Sequence, residues 1–262
     1  LERSLSDLHR KDAALVFTSG FVSNEATLST IGRLMPDCVI LSDQLNHASM
    51  IEGIRHSRAE KYIFAHNDPD DLRRKLAALD PNRPKLIAFE SVYSMDGDIA
   101  PIADIVEVAK RFNALTYLDE VHAVGMYGAR GAGIAAELDL VDKIDIIQGT
   151  MAKAIGVIGG YIASTRVIVD AVRSFATGFI FTTSLPPAVT AGCLASVEHL
   201  KSSDDERQKL QINTALLRER LKQHDIPVMP CSQTHVLPVL VGDAERCKVA
   251  ALRLLHTHGV YL

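Results

Sequence analysis

The stretch Leu115-Thr116-Tyr117-Leu118-Asp119-Glu120-Val121-His122 runs from a largely apolar segment straight into acid. A short run of this kind fits a strand buried on both faces of a sheet. Six more apolar runs read the same way: Leu15–Phe17, Val39–Ser42, Tyr62–Ala65, Leu86–Glu90, Ile144–Gln148 and Gly160–Ala163. Between them, segments such as Asp70–Leu79 and Ala103–Phe112 are apolar at helical spacing. Alternating strands and helices predict an α/β fold, a mostly parallel sheet covered by helices.

The pattern changes after about residue 185. Pro186-Pro187 opens a long helical stretch, Asp204-Asp205-Glu206 suits a helix N-terminus, and Lys222 and His224 suit its end. Val236–Val241 reads as a strand and Glu245–His256 as a helix. We expect a large domain over residues 1–200 and the truncated beginning of a smaller C-terminal α+β domain over residues 201–262. The chain opens on Leu1-Glu2-Arg3 and stops at Gly259-Val260-Tyr261-Leu262, which reads as a strand just entered. The expectation is an internal piece of a longer protein.

Composition is that of an ordinary globular protein, with 47% hydrophobic and 23% charged residues and a net charge of −4. No Lys/Arg run supports a nucleic-acid partner, and no apolar stretch approaches a membrane span. Cys38, Cys193, Cys231 and Cys247 are spaced for neither a zinc site nor a disulfide scaffold, so no metal is expected.

Ligands of open parallel sheets bind beyond the carboxyl ends of the strands. Reactive residues gather at those ends: Ser42, Asp43 and His47 after one strand; Glu90, Ser91 and Ser94 after another; Asp119, Glu120 and His122 after a third; Thr150 and Lys153 after a fourth. Lys153 sits among small residues just past a strand, where desolvation would favour the neutral amine that forms imines. A lone lysine there would more often be a solvated loop residue. Asp119 ends a buried strand and needs a cationic or hydrogen-bonding partner; a protonated pyridine nitrogen is one, a helix cap or ion pair the ordinary alternative. His122 in isolation reads as a structural histidine. His47 either stacks on an aromatic cofactor or caps the helix after it. Thr18-Ser19-Gly20-Phe21 joins a strand to a helix and presents backbone N–H groups suited to a phosphate. Thr182 and Thr183 add hydroxyls that reach the same phosphate or simply shape a turn.

Five segments together carry a resemblance: Asn46–Arg55, Phe89–Asp98, Tyr117–Gly128, Gly149–Gly160 and Gly178–Pro187. They resemble, in order, the signatures of the α-oxoamine synthase family of pyridoxal-phosphate enzymes. NHASMIEGIR and GFIFTTSLPP resemble the branch that condenses glycine with succinyl-CoA. The resemblance implies the fold of type I pyridoxal-phosphate transferases, with a seven-stranded sheet sandwiched by helices. It also implies a homodimer with an active site shared between subunits, and glycine and succinyl-CoA as substrates. Carried over by motif, Lys153 holds pyridoxal 5'-phosphate and moves protons, Asp119 pairs with the pyridine nitrogen, and His47 stacks on the ring. Ser94 and His122 contact the ring hydroxyl. Gly20, Phe21 and Thr150 lie at the phosphate, with Thr182 and Thr183 reaching it from the partner subunit. Ser42 and Lys61 match substrate-contact positions. Met151, Ile155 and Ile158 are mild apolar departures from the family pattern, and Phe21 stands where a tyrosine is frequent. The implied setting is bacterial cytoplasm, or the mitochondrial matrix in a eukaryote.

Three rivals are weaker. Asp119-Glu120-Val121-His122 imitates the D-E-x-H box of nucleic-acid motors, but those need a G-x-x-x-x-G-K-[ST] loop and this chain has no Gly-Lys dipeptide. A non-catalytic scaffold would have lost the lysine that Lys153 supplies. A sister synthase with another amino acid or acyl-CoA is separable only by its substrates.

Overall fold

The computed structural model describes residues 1–262. In chain order the elements are α1 (Glu2–Leu8), β1 (Ala13–Phe17), α2 (Gly20–Leu34), β2 (Val39–Asp43), α3 (Ala48–Ser57), β3 (Glu60–Phe64), α4 (Pro69–Ala77), β4 (Lys85–Glu90), α5 (Ile102–Arg111), β5 (Leu115–Asp119), α6 (Ile134–Glu137), β6 (Ile146–Thr150), β7 (Gly160–Ser164), α7 (Arg166–Phe175), α8 (Thr177–Ile180), α9 (Pro187–Ser202), α10 (Asp205–Gln223) and α11 (Ala244–His258). The seven strands form one sheet in the order β1-β7-β6-β5-β4-β2-β3. Only β7 runs against its neighbours, β1 and β6; every other pairing is parallel.

Strand residues alternate between two apolar layers, as a period of two dictates. Leu41, Ile87, Phe89, Leu118 and Ile147 face one layer with Leu72, Leu76, Ile102 and Ile105 from α4 and α5. Ile40, Leu86, Ala88, Tyr117 and Ile146 face the other, with Ala26, Leu28, Met50, Ile54 and Val169 from α2, α3 and α7. Both faces are therefore covered, which is why these strands carry few outward polar residues. Truncating a fully buried residue such as Leu118 to alanine would cost about 2–5 kcal/mol. A third layer packs α1 and α9 on β7 through Leu5, Leu8, Tyr161, Cys193 and Val197.

Two sequence expectations need correction. The sixth strand spans Ile146–Thr150 rather than Ile144–Gln148, because Val141–Lys143 forms a 3-10 turn and pairing with β7 continues through Thr150 opposite Gly160. Val236–Val241 is not a strand; it makes one isolated bridge, Val239 opposite Val228, and has no ladder to extend. Beyond residue 201, α10 buries only Arg207 and α11 buries no residue. No helix is long and apolar enough to cross a membrane.

Candidate active site

The carboxyl ends of β4, β5 and β6 open into a cavity of about 150 Å³. Gly20, Phe21, Asn24, His47, Ser49, Glu90, Asp119, Val121, His122, Thr150 and Lys153 line it. Parallel pairing sets Glu90 directly opposite Asp119 across two neighbouring strands, so two carboxylates enter side by side. Both are buried, at 3% and 4% exposure.

Burial raises the pKa of Asp119, while hydrogen bonds from Asn24 Nδ2 at 2.8 Å and Val121 N at 2.8 Å favour its charged form. Glu90 is pushed well up by burial and by the adjacent Asp119 charge, against one hydrogen bond from His47 N at 2.5 Å. Asp119 has two donors and Glu90 one, so Asp119 is the ionised member and Glu90 holds the proton.

His47 begins α3 and accepts from Ser49 N through Nδ1 at 3.2 Å. It caps that helix and walls the cavity at once, so the two readings of this residue coexist. Ser49 Oγ lies 2.7 Å from the same nitrogen and accepts from Asn24 Nδ2 at 3.0 Å. His122 is half-buried, and desolvation, helped by Lys153, His235 and His47, lowers its pKa to about 4, so it is neutral at physiological pH. Thr150 Oγ1 donates to Gly159 O at 3.0 Å. A Cβ added at Gly20 would lie 3.1 Å from that hydroxyl oxygen, so the start of α2 and the end of β6 almost touch. Ser19 caps α2 by accepting from Val22 N at 3.1 Å. The amides of Gly20 and Phe21 precede the first intrahelical donors, as at any helix start.

The structure thus brings Gly20, Phe21, His47, Asp119, His122, Thr150 and Lys153 into one cavity. Lys153 departs from expectation in one respect. It is exposed in this chain rather than desolvated, in the turn just beyond β6. Ser94 is half-buried in the turn after β4, outside the cavity lining. Ser42 is buried beneath the β2 loop, donating to Asp43 O and accepting from Asn46 Nδ2. Lys61 is exposed near the start of the edge strand β3, away from the strand ends that form the cavity. Thr182 and Thr183 are exposed and line a separate groove of about 980 Å³ with Leu1, Arg3, Phe17 and Arg173.

Sequence reasoning missed Asn24 and Ser49. Asn24 sits in the second turn of α2, and the signal for it was the buried run of polar residues Ser23, Asn24 and Thr27 on a helix facing the sheet.

A family model described as aminotransferase class I and II matches residues 1–262. The mitochondrial 5-aminolevulinate synthase of Schizosaccharomyces pombe is 57% identical over 263 residues, covering 100% of this chain and 47% of that protein. The 5-aminolevulinate synthase of Bradyrhizobium diazoefficiens is 55% identical over 262 residues, covering 100% of this chain and 64% of that protein. The chain therefore spans about half to just under two thirds of these curated relatives. Among solved structures, serine palmitoyltransferase from S. paucimobilis with a bound PLP-myriocin aldimine superposes with a TM-score of 0.93 at 33% identity, covering 100% of this chain and 67% of that one. The fold expected from the sequence, a mostly parallel seven-stranded sheet between helices, is the fold observed. With one family model matching from first residue to last, on a sheet whose strand ends gather an amine, two carboxylates and two imidazoles, the chain belongs to the aminotransferase class I and II family.

Proposed function

We propose that the protein containing this chain is a pyridoxal-phosphate-dependent acyltransferase that condenses glycine with succinyl-CoA to 5-aminolevulinate, CoA and CO2. The observation that carries the reading is Lys153 facing Asp119 in one cavity, in a chain 55–57% identical along its whole length to proteins named for that activity. The donor set fits the cofactor. A buried carboxylate held ionised by two hydrogen bonds suits a protonated ring nitrogen. The start of α2 beside Thr150 suits a phosphate dianion. When bound, pyridoxal phosphate supplies an electron sink for charge developing at the amino-acid α-carbon.

The residues divide the remaining work. Lys153 is the only amine lining the cavity; it would carry the cofactor and exchange a proton at the glycine α-carbon. Asp119 holds the proton at the ring nitrogen. Asn24 and Val121 N keep that carboxylate charged where burial alone would neutralise it. His47 supplies a ring face fixed by its hydrogen bonds to Ser49. Neutral His122 offers a ring N–H without adding a positive charge beside Lys153. Gly20, Phe21 and Thr150 seat the phosphate.

Further parts of the proposal rest on the relatives. Thr182 and Thr183, outside this chain's own cavity, would reach the phosphate of a partner subunit in a homodimer. Ser94, Ser42 and Lys61 would meet substrate or cofactor in the assembled enzyme. Residues 1–200 would form the cofactor-binding domain and residues 201–262 part of a second domain. The reaction would run in bacterial cytoplasm or in the mitochondrial matrix, a reading supported by relatives from bacteria and relatives named as mitochondrial.

The test uses the intact protein. Aminolevulinate formation is assayed with glycine and a panel of succinyl, pimeloyl and palmitoyl donors. Preference for succinyl-CoA is expected; a clear preference for a longer donor would move the protein to a sister synthase.

A further inference from the structure

Beside the cavity, the loops after β2, β3 and β4 converge on one imidazole. His66, two residues past β3, places Nδ1 2.8 Å from Asp43 Oδ1 and Nε2 2.8 Å from Asp98 Oδ2. With a carboxylate oxygen at each ring nitrogen, both nitrogens must carry a proton, so the ring is an imidazolium. No lysine or arginine pairs with either carboxylate, and the Asp43 side chain is fully buried. The Tyr93 ring meets His66 edge-on at 4.5 Å, and Glu90 lies within the field of Asp43. Asn67 completes the cluster, donating its backbone N–H to Asp43 Oδ2 at 3.0 Å and Nδ2 to Asp98 Oδ2 at 2.8 Å.

Asp43, through its carboxylate, and Asp98, through its backbone carbonyl, each organise a loop that bears on the cavity. Asp43 Oδ1 accepts from Leu45 N at 2.8 Å and fixes the turn into His47, whose own N–H holds Glu90. Asp98 closes the turn that carries Ser94, its carbonyl accepting from Tyr93 N at 3.2 Å. Next to it, Gly97 O accepts from Gln233 N at 2.9 Å, Thr234 N at 3.1 Å and Thr234 Oγ1 at 2.8 Å. Gly97 has φ +71°, and a Cβ there would meet Val236 O at 2.4 Å, so this docking requires glycine. The docked loop sets His235 Nδ1 3.0 Å from Tyr127 Oη, on the side of the cavity where His122 lies.

We propose that His66 is a positioning residue: strapped between Asp43 and Asp98, it sets the spacing of the His47 loop, the Ser94 turn and the loop at residues 231–236 around the cavity. Burial opposes the charge on His66, but hydrogen bonds to Asp43 and Asp98 outweigh it and raise the pKa to about 9. The strap therefore holds through neutral pH and loosens as pH rises through that value. The link to catalysis rests on the cofactor reading above; the loop coupling does not.

The experiment is hydrogen exchange by mass spectrometry on the intact protein, its His66→Asn variant and its His66→Lys variant, which keeps a cation. Cofactor affinity is measured in parallel by absorbance titration. In His66→Asn, amides at residues 43–49, 92–99 and 231–236 should exchange together, each about tenfold faster, while β5 and α5 stay protected. Cofactor affinity should fall by about tenfold, and His66→Lys should recover much of both. After correction for intrinsic exchange, the parent protein should gain the same three-segment pattern above about pH 9, and His66→Asn should show no such step. Faster exchange confined to residues 65–68, or spread evenly over the chain, would overturn the proposal. If His66→Asn does not fold, His66→Lys and the pH series of the parent protein carry the same comparison. A parent protein that binds no pyridoxal phosphate would count against the cofactor reading and leave the exchange result standing.

Discussion

Asn24 donates to Asp119 across 2.8 Å, from the second turn of α2 to the end of β5. Its second amide hydrogen goes to Ser49 Oγ at 3.0 Å, and its carbonyl accepts from Tyr117 Oη at 2.7 Å. Ser49 in turn meets His47 Nδ1. One amide therefore ties the carboxylate at the floor of the cavity to the imidazole in its wall. Such outer partners fix the charge and orientation of the groups that touch a ligand.

Two substitutions separate these duties. Asn24→Ala leaves the buried Tyr117 hydroxyl without its acceptor and should cost about 1–3 kcal/mol of stability. Asn24→Asp keeps an acceptor for Tyr117 but sets a second carboxylate against Asp119. Its affinity for pyridoxal phosphate should fall by about tenfold at pH 8 and recover in part at pH 6, as the new carboxyl takes a proton. Absorbance titrations at the two pH values check this; equal affinities would show that Asn24 does not hold Asp119 charged.

The sheet was legible because five of its seven strands are short runs buried at nearly every position. The exposed edge strand β3 was legible only in part: the run Tyr62–Ala65 overlaps the observed Glu60–Phe64, whose first two residues are charged and carry no apolar signal. Residues at the strand ends were legible for the same reason: a parallel sheet delivers them to one rim. Asn24 was not, because a polar residue inside a helix has no local signature until the helix is placed on the sheet. The exposure of Lys153 also escaped, since small neighbours in sequence do not specify what lies across a turn in space.

Asp119→Ala should separate chemistry from folding. The variant removes a buried charge but leaves the Asn24 amide and Val121 N–H without their acceptor, so the fold should be retained with a loss of no more than about 1–3 kcal/mol. Turnover should drop by about a hundredfold or more, the scale of losing an electrostatic stabiliser at developing charge. Melting curves and steady-state assays with glycine and succinyl-CoA test both halves. Near-normal turnover with cofactor bound would remove Asp119 from the chemistry.

Lys153 should be the residue that carries the cofactor. Borohydride reduction of the intact protein with pyridoxal phosphate, followed by peptide mapping, should place the label on Lys153. It is the only lysine that lines the cavity. Label on any other lysine contradicts the assignment.

His9 should set part of the acid limit of stability. The ring is fully buried with Nε2 2.8 Å from Tyr161 Oη, and burial, assisted by the Lys11 charge, lowers its pKa to about 3. The unfolded chain titrates this group near 6.5, so the folded state excludes a proton that the unfolded state binds. The contribution is complete above pH 6.5 and is lost as pH falls toward 3, at up to about 1.4 kcal/mol per pH unit. His9→Gln keeps a polar group for Tyr161 and cannot titrate there. Its denaturant midpoint should fall less steeply between pH 6 and pH 4 than that of the parent; parallel curves would show that other groups set the acid limit.

Gly20→Ala should weaken the phosphate seat without weakening the fold. Gly20 is the first residue of α2, behind the Ser19 cap, and its backbone there suits any residue. Alanine favours a helix over glycine by up to about 1 kcal/mol, so stability should be unchanged or slightly higher. The added methyl would lie 3.1 Å from Thr150 Oγ1 and 3.2 Å from Thr150 Cβ, closer than ordinary packing allows. Either the α2 terminus or Thr150 must move by a few tenths of an ångström, and both belong to the proposed phosphate site. Affinity for pyridoxal phosphate should drop by roughly three- to tenfold, a loss on the scale of one hydrogen bond. Affinity for pyridoxal, which lacks the phosphate, should stay as it was. Titrating both ligands against parent and variant, with melting curves alongside, separates a phosphate effect from a general one. An equal loss for the two ligands would place the phosphate elsewhere than between Gly20 and Thr150.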